Sequence, residues 1–372
     1  MNLRLIRSVI TTTGICAAGV AAFVSTSVFA GDSELNVYNW SDYIAKSTIP
    51  NFEKQTGIKV RYDSYDSDDT LQAKLLAGSA GYDIVVPTSN YMGKQIQAGI
   101  YQKLDKARMP NLANLDPVLM KKIADADPGN MYGVPWAYGS DGVAYNVQAV
   151  KKALGDAAPV DSWALVLDPA NVSKLKGCGV SFLDQANDVF GATLQYMGKD
   201  VNSTNPGDYA AAYEVLKKVR PYITQFNSSS YINDLANGDI CVALAWSGDG
   251  GMARRRAAEA KRSFEVKFSN VKEGGILWFD VMGVPKDAPH PEAAMQWINY
   301  IEDPKVNAEI TNEVFYPTAN RAARQYVTPA MIQDATVYPS DEVLNRMTLA
   351  KPLPADIVRL ENRLWSKLKA GT

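Results

Sequence analysis

Tryptophan and aspartate recur side by side in this chain. Trp40-Ser41-Asp42-Tyr43, Trp246-Ser247-Gly248-Asp249 and Trp278-Phe279-Asp280 repeat one chemical pairing, and Phe315-Tyr316 adds two rings before Pro317. An indole is a flat apolar wall whose face attracts a cation by about 0.5–2 kcal/mol. A carboxylate is the counter-charge that a desolvated cation requires. Three such pairs, delivered to one cleft, suit a linear organic amine with its heads on the acids and its stem between the rings. The same set suits a sugar, which stacks on aromatics and hydrogen-bonds to acids. Taken singly, each pair reads better as a tryptophan of the core.

Catalytic devices are scarce. The one histidine, His290, lies between Pro289 and Pro291 and reads as a solvated turn residue, a poor place for the base of a nucleophilic triad. There is no glycine-rich phosphate loop ending in Lys-Ser/Thr. Asp63, Asp66, Asp68 and Asp69 lack calcium-loop spacing and read as acids favoured by a helix dipole. Arg254-Arg255-Arg256 reads as a solvated helix face. No enzymatic activity, cofactor or metal is expected.

The elements that must position the pairs alternate. Leu35–Asn39 reads as a strand, Ile44–Gln55 as a helix stopped by Gly57, and Ile58–Tyr62 as a strand. A helix capped by Ser67 runs through Leu76, and Ile84-Val85-Val86 is a short apolar strand. Strand and helix in turn, with short links, imply parallel α/β sheets. Gly133–Asn146 reads as extended chain able to cross between lobes. Trp163–Leu175, Val189–Met197 and Tyr209–Val219 read as helices, Ile240–Ala245 and Ile276–Val284 as strands. Each aromatic–acid pair then falls at or near a strand end, where open α/β sheets bind ligands.

The amino end has another purpose. Arg4 and Arg7 precede an apolar stretch from Val9 to Val28, and Val28-Phe29-Ala30 has the small residues of a cleavage site. This is the pattern of a secretory signal peptide over residues 1–30. Cys16 follows Ile15, too large for lipoprotein processing. The chain has 38 Lys and Arg against 40 Asp and Glu, so losing Arg4 and Arg7 leaves 36 against 40. A mildly acidic chain without a basic block is no nucleic-acid binder. Two cysteines follow the signal, Cys178 and Cys241, and an oxidising compartment would pair them. About 340 residues exceed one ordinary core and suggest two lobes.

The stretches YNWSDYIA (38–45), NFEKQTGIKV (51–60), YDIVVP (82–87), CGVSFLD (178–184), YINDLANGDICVA (231–243) and VFY (314–316) carry a resemblance over the whole mature chain. It resembles the periplasmic polyamine-binding proteins of ABC importers, the putrescine-binding members most. The resemblance implies a type II periplasmic-binding-protein fold, two α/β lobes joined by hinge strands, with lobe 1 over 31–139 plus 279–324 and lobe 2 over 140–278 plus 325–372. It implies that Trp40, Tyr316, Trp246 and Trp278 box the ligand stem and that Asp249 and Asp280 bind one ammonium. Ser41 and Asp42 would line the other end with Asp188 assisting, and Tyr43 and Thr88 would complete the site. It pairs Cys178 with Cys241. The expected partners are a polyamine, putrescine foremost, and a membrane permease, with the receptor itself a monomer.

Departures from the family bear on the ligand. Thr88 replaces a usual Ser, Asp188 replaces the Glu of putrescine receptors, and Trp278 replaces their Phe but matches the spermidine type. Asn90 and Gln185 lack the Tyr and the extra acid of spermidine receptors, and Asp249 is the putrescine-type residue. The balance favours a diamine. Spermidine, cadaverine or agmatine binding, or a chemosensory role, stays open.

Overall fold

The computed structural model describes residues 33–371. The segment read as a signal peptide lies outside the described residues. Ten strands define the framework: β1 (Glu34–Trp40), β2 (Lys59–Tyr65), β3 (Ile84–Val85), β4 (Gly133–Asn146), β5 (Val180–Phe182), β6 (Gln225–Phe226), β7 (Val242–Trp246), β8 (Val266–Ser269), β9 (Ile276–Gly283) and β10 (Thr348–Leu349). Their main order is β2-β1-β3-β9-β4-β7-β5-β6. β1 is parallel to β2 and β3, and β5 is parallel to β6 and β7. Helices link these strands, as parallel pairing requires.

β4 makes this one molecule of two α/β lobes. Residues 133–140 pair antiparallel with β9. From Asp141 the same strand pairs with β7, and from Val143 also with β8. One strand thus leaves the first sheet and enters the second without a break. Only Tyr138 of its fourteen residues is not fully buried, and all eight residues of β9 are buried. Strands covered on both faces read as apolar runs, which is why β4 and β9 carry so few polar residues. Asp141 and Asp280 are the carboxylates among them; Asp280 lines the cavity described below and Asp141 is bonded to one of its rings.

Helix boundaries differ from the sequence reading where proline decides. The first helix is Thr48–Thr56, starting four residues later than expected. Pro50 has no N–H to donate and is tolerated only in a first turn. The expected helix over 163–175 is two, Ala164–Leu167 and Pro169–Leu175. The residue before a proline avoids helical backbone, and Asp168 instead caps the second helix by accepting from the Ala170 N–H at 2.8 Å. Ser67 caps Asp68–Leu76 as expected, accepting from the Thr70 N–H at 3.2 Å.

Cys178 and Cys241 form a disulfide with a Cα–Cα distance of 5.4 Å. It precedes β5 and β7, which pair at Val180 and Val242. The bond closes a separation of 63 residues, which by chain entropy stabilises the fold by about 4 kcal/mol at most. Replacing both cysteines by serine should lower the melting temperature by several degrees in a calorimetric scan. Ligand affinity should be unchanged, because the bond lies outside the cavity lining.

Candidate functional site

The pleat explains how the rings converge. Trp40 ends β1 and donates its indole N–H to the Val86 carbonyl at 2.9 Å. Trp246 ends β7, and its ring stands edge-on to Trp40 with centroids 5.5 Å apart. Trp278 lies on β9 opposite Gly139 of β4. A Cβ at Gly139 would stand 2.5 Å from the Trp278 ring, so only glycine admits this indole. Tyr316 leans on Trp278 at 5.6 Å, and Tyr43 meets Tyr316 edge-on at 5.0 Å. Gly248 similarly leaves room for the Tyr316 ring. Between these rings is a cavity of about 570 Å³ including its mouth.

Carboxylates point into the same space. Asp280, Asp249 and Asp188 are each at most 6% exposed, and none takes part in an ion pair among the described residues. Burial pushes the Asp280 carboxyl well above the usual aspartate range, and repulsion from Asp68 adds to it. The adjacent Tyr43 hydroxyl faces this carboxyl and offsets a little of the rise. Burial raises Asp249 to about 6, held from going higher by two tyrosines. Tyr316 donates to its Oδ1 at 2.6 Å and Tyr231 to its Oδ2 at 2.7 Å. Burial raises Asp188 to about 7 against the N–H that Trp246 donates at 2.8 Å.

All the residues expected from the sequence line this cavity except Asp42. Ser41 does so while donating its hydroxyl to the Tyr65 carbonyl at 3.3 Å. Asp42 sits in the turn after β1 with a left-handed φ of 53°. Its carboxylate pairs with Arg256 at 2.9 Å on Asp249's side of the cleft rather than lining the opposite end. Two other readings change as well. The three arginines are not a free solvated face: Arg254 pairs with Asp334, Arg255 with Glu313 and Arg256 with Asp42. His290 is no free turn residue, because its Nδ1 lies 3.1 Å from the fully buried Asp83 carboxylate.

Several lining residues escaped sequence reasoning, among them Tyr65, Asp66, Asn187 and Ser228. Behind them lies Asp68, in the first turn of its helix as expected but wholly buried. It accepts from Thr88, at 2.6 Å from the hydroxyl and 3.1 Å from the N–H. Thr88 bridges to Asp280 on the neighbouring strand. Gln185 spans the cleft to the same place: its amide donates to Asp68 at 3.1 Å, and the Asp68 N–H donates back at 3.2 Å. Asp68 is pushed up to about 7, burial being the main cause. Its neighbour Ser67, a plain helix cap, hid this role in the sequence.

A profile of the family described as "Bacterial extracellular solute-binding protein" matches residues 48–339. The chain belongs to this family. Among its relatives, the solute-binding protein is 48% identical over 358 residues to a putrescine-binding periplasmic protein of Pseudomonas aeruginosa, covering 96% of this chain and 98% of that one. It is 47% identical over 356 residues to a putrescine-binding periplasmic protein of Escherichia coli, covering 95% and 96%. A solved structure titled as a putative spermidine/putrescine ABC transporter of Listeria monocytogenes superposes with a TM-score of 0.82 at 30% identity, covering 91% and 99%.

The raised carboxylates of this solute-binding protein predict a pH effect. Hinge opening rehydrates them and returns them toward about 3.9. The closed form therefore holds more protons than the open form between that value and about 6–7, where Asp249, Asp188 and Asp68 stand. Rising pH across this window must favour the open form. The radius of gyration of ligand-free protein, measured by small-angle scattering, should increase from pH 5 to pH 8. An unchanged radius would contradict the assignment of these groups.

Proposed function

We propose that this protein is the periplasmic substrate-binding component of a polyamine ABC importer, and that it binds putrescine or a similar diamine in the cavity. The observation that carries this reading is a set of desolvated carboxylates, enclosed by indole and phenol rings, that form no ion pair among the described residues. Isolated buried carboxylates are very unfavourable, so a site of this make-up is complementary to an organic cation. A sugar would leave those charges unmatched. The names of the relatives support the same ligand class and the periplasmic location.

In this reading Asp280 and Asp249 hold one ammonium. Trp40, Trp246, Trp278 and Tyr316 sandwich the methylene stem. Asp188 and Ser41 receive the other head, while Asp42 stays with Arg256. Thr88 and Tyr43 frame Asp280. The lobe division at 139/140 and 278/279, with 279–324 in lobe 1 and 325–372 in lobe 2, is supported by the change of partner in β4 between residues 140 and 141. The protein would bind and release its ligand unaltered and pass it to a membrane permease.

Titration calorimetry with putrescine, cadaverine, agmatine and spermidine tests the reading. Putrescine should bind most tightly, and undetectable binding of all four would refute amine recognition. Asp280→Asn should retain the fold and weaken putrescine binding by about 2–5 kcal/mol, the usual effect of removing one partner of a buried charge pair. Trp278→Phe keeps a ring but loses the indole N–H and part of the wall. It should weaken binding less than Asp280→Asn and shift preference toward the shorter amine in the same titrations.

A further inference from the structure

One buried carboxylate near this site has no place in the ligand set above. Asp141 lies on β4 directly opposite Trp246 of β7, two residues after Gly139, which opposes Trp278 of β9. Opposed residues of antiparallel strands share a face, as do residues two apart on one strand. Asp141, Trp246 and Trp278 therefore lie on one face, with the acid between the two indoles. Asp141 is fully buried. Its Oδ1 accepts the Trp278 indole N–H at 2.9 Å, and its Oδ2 has no hydrogen-bond partner.

Asp188 repeats the arrangement on the other tryptophan, accepting from Trp246 at 2.8 Å. The two carboxylates feel each other: after burial, repulsion from Asp188 is the main influence raising Asp141. No described ion pair neutralises either one. We propose that Asp141 is a specificity-determining residue, which fixes the Trp278 wall and adds a second negative charge behind Asp188, so that this end of the cavity selects a dicationic amine over a monocation with the same stem. The proposal rests on the amine-binding reading and extends it.

The discrimination works mainly through the second head of the right ligand. A monoamine seats its head at Asp280 and Asp249 and lays a methyl group against the Asp141–Asp188 end. The two desolvated carboxyls at that end then have no cation to ionise against and keep their protons, so the monoamine gains nothing from them. A diamine places an ammonium there, and both carboxylates gain from it. Asp141 contributes at long range through charge, and at short range by holding the ring that forms the wall. Its side chain can be altered to separate the two effects. Asparagine can still accept the Trp278 N–H but carries no charge.

The test is calorimetric titration of wild type and Asp141→Asn with putrescine, and with n-butylamine by competition against putrescine. Asp141→Asn should weaken putrescine by about tenfold or more, about 1.4 kcal/mol, and change n-butylamine by less than about threefold, narrowing the preference for the dication. A merely structural residue would weaken both amines equally. That outcome, or an unchanged preference, overturns the role of Asp141 while leaving amine binding intact. If Asp141→Asn does not fold, the double variant Asp141→Thr/Trp278→Phe, which removes both partners of the buried bond, must narrow the preference in the same way. Wild-type protein that binds neither amine overturns this proposal and the amine-binding reading together.

Discussion

The site is organised around carboxylates that the protein desolvates and leaves without an ion pair among the described residues. Asp280, Asp249 and Asp188 face one cavity, with Asp141 and Asp68 close behind. Their hydrogen-bond donors are neutral: indole N–H groups, tyrosine and threonine hydroxyls, a glutamine amide and a backbone N–H. Such donors orient a carboxylate and soften its burial without cancelling its charge. The arginines nearby are engaged elsewhere, Arg256 on Asp42 and Arg254 on Asp334. The unmatched charge is thereby reserved for whatever enters the cleft.

The backbone serves that arrangement in a simple way. β4 carries Gly139 in the part paired with β9 and Asp141 in the part paired with β7. The strand that joins the lobes thus also places the site's rearmost acid and clears space for one of its rings. Asp280 lies on β9, the partner of β4's first half, and Asp249 opens the helix Ser247–Glu259 that follows β7. Rotation about the crossing strand would change the distances among these acids directly. The same motion that admits a ligand therefore alters the field that holds it.

Much of this was legible in the sequence, for identifiable reasons. Trp40, Trp246 and Trp278 stood out because each accompanies an acid at or near a strand end, and β4 was visible as a long extended segment without helical periodicity. Asp42 was misplaced because adjacency to Trp40 does not reveal the left-handed turn that aims its side chain at Arg256. Asp68 was hidden by Ser67, whose capping role explains the local acids without any burial. Asp141 was invisible, because its meaning depends on the register of β4 against two other strands. The pairing of His290 with Asp83 and of the arginines with distant acids likewise joins residues far apart in the chain.

Two of the bonds across the cleft involve no ligand-facing atom of the carboxylate trio. Gln185 grips Asp68 in two directions, and Arg256 grips Asp42. Contacts of this kind form on closure whatever the cleft contains. They hold the two sides together in addition to the field that Asp68 adds at Asp280 and the wall that Gln185 adds to the cavity. What they lengthen is the dwell time, because both must break before the lobes part. Duration of carriage therefore depends in part on residues outside the carboxylate trio. It can be tuned at positions 42 and 256, neither of which lines the cavity, in the way a clasp is adjusted while the key keeps its cut.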